Sequence, residues 1–256
     1  MLQQTAVTRV LPVYAAWLAR WPAPADLAAE PAGEAVRAWG RLGYPRRALR
    51  LHAAACAIVL DHGGRVPGTV DALLSLPGVG QYTARAVAAF AFGVRTPVLD
   101  VNVHRVLQRT IRGTDEPGTP TTADRQLLET LLPDEPAVAA RFSVALMELG
   151  ALVCTAARPR CTACPVAAGC RWRGAGSPAA VRPKRVQAWA GTDRQVRGRI
   201  MAVLRETPGP VPESALAQVW PDRVQWRRCL DGLLADGLAA TAGRDDSGCP
   251  LVALPG

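Results

Sequence analysis

The sequence predicts an all-α chain over residues 1–172, followed by a small winged-helix-like module. Three observations predict it. Apolar residues recur at helical spacing through most of the 256-residue chain. Alternating strand patterns are almost absent before residue 189. Glycine and proline fall where one helix must stop and the next begin.

The elements follow in order. Val7, Val10, Leu11, Tyr14, Trp17, Leu18 and Trp21 make a helical stripe over Val7–Trp21. Glu34–Trp39 is a short helix stopped by Gly40, and Arg46–His62 is a longer one stopped by Gly63-Gly64. Thr69 caps a helix running to Leu76. Helices over Gln81–Phe92, Val101–Thr110, Ala123–Leu132 and Pro136–Leu152 complete the first part. Residues 174–188 form a basic, turn-rich linker. Residues 189–256 then read as helix Asp193–Arg205, a Pro-Gly-Pro turn, helices Glu213–Val219 and Asp222–Ala235, and a hairpin around Gly243–Gly248. The stretch Asp222–Arg228 is equally a DNA-facing surface and a solvated basic face.

Composition bounds the partners. Lys and Arg number 30 against 21 Asp and Glu, a formal net charge of +9. Genome bias explains arginine over lysine, but not the excess over acids. That excess favours phosphate through counterion release. The start, MLQQTAVTRV, lacks the charged and apolar regions of a signal peptide. No apolar run approaches ~20 residues, so no membrane span is expected. An intracellular, cytoplasmic, DNA-associated chain is the expectation.

Cys154, Cys161, Cys164 and Cys170 are spaced C-x6-C-x2-C-x5-C. Disulfides need an oxidising compartment, which nothing here suggests. Zinc remains open, since four thiolates suit it. Structural zinc sites usually carry two close pairs, however, and only one C-x2-C is present. A loop of this shape wraps a larger object more naturally, such as an iron–sulfur cube. Cys56, within an apolar helical run, reads as a core residue, and Cys229 and Cys249 are scattered.

Leu76-Pro77-Gly78-Val79-Gly80-Gln81-Tyr82-Thr83-Ala84 places a tight glycine turn between two helices. Such a turn presents backbone N–H groups at a helix start, a ready phosphate site. This helix-hairpin-helix arrangement holds DNA backbone without reading sequence. In Val98-Leu99-Asp100-Val101-Asn102-Val103-His104-Arg105-Val106-Leu107, Asp100 directly precedes a helix. Alone, Asp100 reads as an N-cap; beside the hairpin and the cysteine loop it is a candidate catalytic carboxylate. His52, His62 and His104 are not expected to be metal ligands, and His104 is expected at a phosphate or packed.

These motifs, in this order and separation, resemble the endonuclease III-type superfamily of helix-hairpin-helix DNA glycosylases. MLQQT, Gly40-Arg41-Leu42-Gly43-Tyr44 and Met147-Glu148-Leu149-Gly150-Ala151-Leu152-Val153-Cys154 are similar to the adenine-specific mismatch glycosylases of the MutY type. The resemblance covers residues 1 to about 172. It implies an all-α, two-lobed fold: a cluster lobe of residues 1–21 and 134–173, a helical-barrel lobe of 22–133, and DNA between them. It implies one [4Fe-4S] cluster on Cys154, Cys161, Cys164 and Cys170, with Arg158, Arg160, Arg171 and Arg173 near phosphates.

The implied reaction is hydrolytic removal of adenine opposite guanine or 8-oxoguanine in duplex DNA, by a monomer, with the base flipped from the stack. Asp100 matches the family's aspartate and Asn102 the asparagine that orients it. Tyr82 stands where bifunctional members carry a nucleophilic lysine, so lyase chemistry is expected to be absent or weak. Gln4 and Tyr44 match residues inserted beside the lesion. Gly78, Gly80, Gln81, Thr83 and Arg105 are expected at DNA. Pro45 replaces a usual second aromatic. A thymine mismatch glycosylase on the same scaffold and a non-enzymatic damage-sensing protein are the competing readings.

Two departures stand out. The family's general-acid glutamate lies two residues before the methionine of MLQQT, and this sequence begins at that methionine. General acid catalysis is worth about 10²–10⁴-fold, so the chain as written is expected to be crippled, with the true start upstream. The 68 or so residues from Trp189 are also too few for the family's usual domain for recognising oxidised guanine.

Overall fold

A computed structural model describes the chain except for Gln4, Pro117 and residues 179–189. The expected wedge residue Gln4 and most of the linker 174–188 therefore lie outside the described residues. The described α-helices are α1 (Val7–Arg20), α2 (Pro24–Ala28), α3 (Ala32–Trp39), α4 (Arg46–His62), α5 (Val70–Leu74), α6 (Gln81–Phe92), α7 (Val101–Leu107), α8 (Thr122–Leu131), α9 (Pro136–Glu148), α10 (Arg171–Gly174), α11 (Asp193–Glu206), α12 (Glu213–Leu216) and α13 (Arg223–Ala235). The strands are β1 (Val211–Pro212), β2 (Ala240–Arg244) and β3 (Pro250–Ala253). Turns of π-helix, Gln108–Arg112 and Leu149–Val153, continue α7 and α9.

The chain forms two compact units. The first contains Met1–Val66, Leu76–Gly78 and the described residues of Val186–Gly256. Its core starts from three indoles. Trp17 meets Trp21 and Trp39 edge-on, with ring centroids 4.8 and 5.8 Å away. The Trp17 indole N–H donates to the Ala38 carbonyl at 3.1 Å. The same apolar cluster runs on into Val196, Ile200 and Leu204 of α11, Leu230 and Leu233 of α13, and Val252 of β3.

The C-terminal part has the expected winged-helix order, with antiparallel strands arranged β1-β3-β2. It is not a separate module, because it shares one core with α1–α4. Polar contacts close the seam. Arg37 donates to the carbonyls of Arg205 and Thr207, which α11 leaves unpaired at its end. The Gly33 amide donates to the Pro255 carbonyl at 2.7 Å. A side chain at Gly33 would collide with Leu254, its Cβ falling 2.8 Å from the Leu254 Cβ. Within this unit α1 packs with α3. The indole cluster is the reason, since it joins Trp17 and Trp21 to Trp39.

The second unit contains Pro67–Ser75 and Val79–Arg185. Leu99, Val103, Leu107 and Leu128 form one core cluster in it, covered by Phe142, Leu146 and Met147 of α9. Pro136–Val153, 18 residues with mean hydropathy 1.5, is apolar enough by length and composition to cross a membrane. That run is longer than the sequence reading allowed for, and one face of it covers this core. Thr121 and Asp124 make a capping box that starts α8. The second unit carries Asp100 and all four clustered cysteines.

Candidate active site and cysteine loop

Asp100 caps α7 through its side chain. Its Oδ1 accepts from the amides of Asn102 and Val103 at 2.9 and 2.7 Å, and its Oδ2 accepts from the Asn102 side-chain amide at 3.0 Å. The capping role and the catalytic role are therefore compatible: three donors fix the direction of one carboxylate. Tyr82, near the start of α6, is 38% exposed. Burial, and secondarily the negative charge of Asp100, push the Tyr82 pKa up. The phenol stays protonated at neutral pH.

Asn102 is itself held. Its Oδ1 accepts from the Arg105 guanidinium at 2.8 Å. Arg105 also donates to the carbonyls of Cys154 at 2.7 Å and Gly150 at 2.6 Å. The sequence placed Arg105 at DNA; here these groups turn inward and join Asp100 to the cysteine loop through Asn102. Close packing makes the link possible. A Cβ on Gly150 would fall 2.7 Å from the Asn102 carbonyl oxygen and 2.8 Å from its Cβ.

One turn further, Arg109 is 1% exposed. It donates to the Cys154 sulfur at 3.4 Å, to the carbonyls of Thr155 and Ala156, and to Asp115 at 2.9 Å. Its guanidinium lies 4.6 Å from the centre of the Trp172 ring. Burial alone would lower its pKa, but hydrogen bonds to Asp115 and Cys154 outweigh burial and raise it. Arg109 escaped the sequence reading. An arginine four residues after Arg105, on the inner side of an apolar helix, was the available signal.

Cys154, Cys161, Cys164 and Cys170 are free thiols that line one cavity. Val106, Leu149, Val153, Val166 and Trp172 complete most of its wall. Among the described residues, no three His, Cys, Asp or Glu side chains converge on a single-ion site. Arg158, Arg171 and Arg173 are exposed, whereas exposed Arg160 hydrogen-bonds the Leu152 carbonyl.

The hairpin glycines differ. Gly78 has φ +79°, and a Cβ there would fall 2.7 Å from the Arg50 Cβ. Gly80 has φ −97° and caps α6 without a side-chain hydrogen bond. Gln81 is exposed beside it and Thr83 half-buried. Tyr44 is 58% exposed and holds φ +48°, rare for a bulky residue. His104 is buried against Gln108 at 3.1 Å and Asp124 at 3.4 Å, so it packs and is not at the surface. Cys56 is half-buried, near His52.

Residues 1–132 match the HhH-GPD superfamily of base excision DNA repair proteins. Relatives narrow the class. The adenine DNA glycosylase of Mycolicibacterium smegmatis is 50% identical over 260 residues, covering 98% of this chain and 87% of that protein. A thermostable thymine-DNA glycosylase structure superposes with TM-score 0.62 at 31% identity, covering 68% of this chain and 80% of that one. A trapped endonuclease III–DNA covalent intermediate superposes with TM-score 0.60 at 25% identity, over 68% and 81% of the two chains. The chain belongs to the adenine DNA glycosylases of this superfamily, enzymes that hydrolyse N-glycosyl bonds.

Proposed function

We propose that this chain removes adenine from a duplex in which adenine faces guanine or 8-oxoguanine, acting as a monomer beside the cytoplasmic DNA. The observation that carries the reading is the fixed Asp100 carboxylate, oriented by two backbone amides and Asn102. In the reaction the bond between the sugar C1′ and the base nitrogen breaks, a water oxygen takes the base's place on C1′, and the proton the water gives up is balanced by the one the departing adenine takes on. Positive charge grows on the sugar as the base leaves. A carboxylate already pointed at that charge lowers the barrier without reorganising. Tyr82 has no amine and cannot form a Schiff base, so the sugar–phosphate chain stays intact. Adenine is preferred over thymine because the adenine-type relative is 50% identical and the thymine-type structure 31%.

The hairpin around Gly78 and Gly80, with Gln81 and Thr83, would hold backbone phosphate. Tyr44 would enter the stack beside the mismatch. Cys154, Cys161, Cys164 and Cys170 would hold one [4Fe-4S] cluster. Their spread around a cavity suits a multi-atom body, whereas one zinc ion needs thiolates only ~3.8 Å apart. Bound there, the cluster would fix the loop that receives Arg105 and Arg109.

Two measurements test the reading together. One is single-turnover adenine release from a duplex with adenine opposite 8-oxoguanine. The other is affinity for the same duplex carrying a cationic pyrrolidine in place of the adenosine sugar, a mimic of the charged transition state. Asp100→Asn should abolish release and weaken the pyrrolidine duplex at least about 10²-fold. Equal affinity of parent and variant for the mimic would overturn the role of Asp100.

A further inference from the structure

We propose that the C-terminal module positions Tyr44, and that Asp236 is the residue through which it does so. Tyr44 is large, exposed and held at φ +48°. A bulky residue in that conformation stays there only when its surroundings impose it. One side of the imposition is local: the Trp39 indole N–H donates to the Gly43 carbonyl at 2.9 Å. The other side is remote in sequence.

Arg46 and Arg47 follow the Tyr44-Pro45 turn and open α4. Their side chains go to opposite ends of the chain. Arg47 donates to the Thr5 hydroxyl at 2.9 Å and to the Met1 carbonyl, and lies over the Trp39 ring. Arg46 forms an ion pair with Asp236, just past α13. The other Asp236 oxygen receives Arg197 of α11. One carboxylate, only 14% exposed at its side chain, thus joins two arginines that would otherwise repel each other. Burial, and after it the charge of Arg46, depress the Arg197 pKa.

The bridge is also built into the backbone. Arg197 crosses Gly232, where an added Cβ would fall 2.6 Å from its Nη1. Beneath it, Leu42 and Ala48 on either side of the Tyr44 turn share the core with Leu233 and Leu238 of the module. Without the Asp236 carboxylate, the Arg46 end of the turn carries two unneutralised arginines. The turn then keeps only the local Trp39–Gly43 hold on Tyr44. Asp236 belongs to the unit that does not carry Asp100, so it is a positioning residue, acting on the step in which the mismatch is opened.

The proposal rests on the reading that Tyr44 inserts beside the mismatch, and the experiment separates the two. A fluorescent 2-aminopurine placed next to the adenine–8-oxoguanine pair reports unstacking when the full chain binds. Tyr44→Ala should abolish the rise in fluorescence. No change in that variant would remove the insertion reading itself. With that arm positive, Asp236→Asn should reduce the rise and weaken preference for mismatched over matched duplex by about tenfold, as expected when the competent turn is less populated. Asp236→Glu should recover most of both. Asp231→Asn, on the exposed side of α13, should leave both unchanged. A normal rise in Asp236→Asn, a loss that Glu does not recover, or an equal loss in Asp231→Asn would each overturn the role of Asp236.

Discussion

Gly150→Ala tests the link between the cysteine loop and the Asp100 carboxylate. Its Cβ would lie 2.7 Å from the Asn102 carbonyl oxygen, 2.8 Å from its Cβ and 2.9 Å from its carbonyl carbon. Two of these three are backbone atoms, so no side-chain rotation relieves the clash. Ordinary contact starts near 3.4 Å, which requires the start of α7 and the π-helical turn to part by about 0.7 Å. Overpacking of this kind costs about 1–3 kcal/mol. The displaced residue orients Asp100, and a 1 Å error at a reacting group costs about 10²-fold. The expected result is a fall of about 10- to 100-fold in single-turnover adenine release, with weaker binding of the pyrrolidine duplex. The Tm should drop by about 2–10 °C. Gly198→Ala, inside α11 with nothing within 4 Å, is the control: it should leave the rate unchanged and raise the Tm slightly, as a helix-interior glycine replaced by alanine does. A parent-like rate in Gly150→Ala, with the Tm drop present, would show that Asp100 is placed independently of the loop.

Four shorter predictions accompany it. Arg105→Gln should mimic Gly150→Ala in rate, because Asn102 loses its partner at 2.8 Å; parent-like release would contradict the relay. Tyr82→Lys should create a borohydride-trappable adduct with DNA, whereas the parent chain should give none. Purified protein should contain iron and acid-labile sulfide in equal amounts, and Cys161→Ser should lose both; stoichiometric zinc instead would refute the cluster. Burial works to raise the Asp124 pKa, but hydrogen bonds from the Thr121 hydroxyl and amide, with Arg112 and His104, bring it below the ordinary value. A carboxyl lowered in the folded state stabilises above its unfolded value of 3.8 and loses that stabilisation as pH falls through the lower folded value. Asp124→Asn should therefore be less stable than the parent at pH 6 and close the gap below pH 4 in thermal melts.

The helices were legible because apolar spacing and capping residues are local. Asp222 caps α13 at the residue where sequence placed the helix start, accepting from Val224 and Gln225 at 2.9 and 3.0 Å. The five-residue helix α2 and the two-residue strand β1 were not legible, since neither is long enough to show a period. The cysteines stood out by spacing, Asp100 by its place before a helix beside the other motifs, and Tyr82 only through the family resemblance. Arg105 reads in the sequence as a phosphate contact, and its bonds to carbonyls 45 and 49 positions away could not be read there. The shared core of α1–α4 and the C-terminal helices was invisible for the same reason. Nothing in a local pattern says that Trp39 and Leu233 belong to one cluster.

The two glycines of the hairpin answer to different demands. Gly78 is closed to every L-amino acid twice over, by its positive φ and by Arg50. The fold itself therefore dictates it. Gly80 has an ordinary φ and empty space where a side chain would go. An alanine at 80 would cost the isolated protein little, so any intolerance to it must be imposed from outside the chain. Substituted libraries selected for folding and for DNA binding should diverge at this position while agreeing at 78. That divergence would mark the point on the hairpin where backbone and ligand come closest.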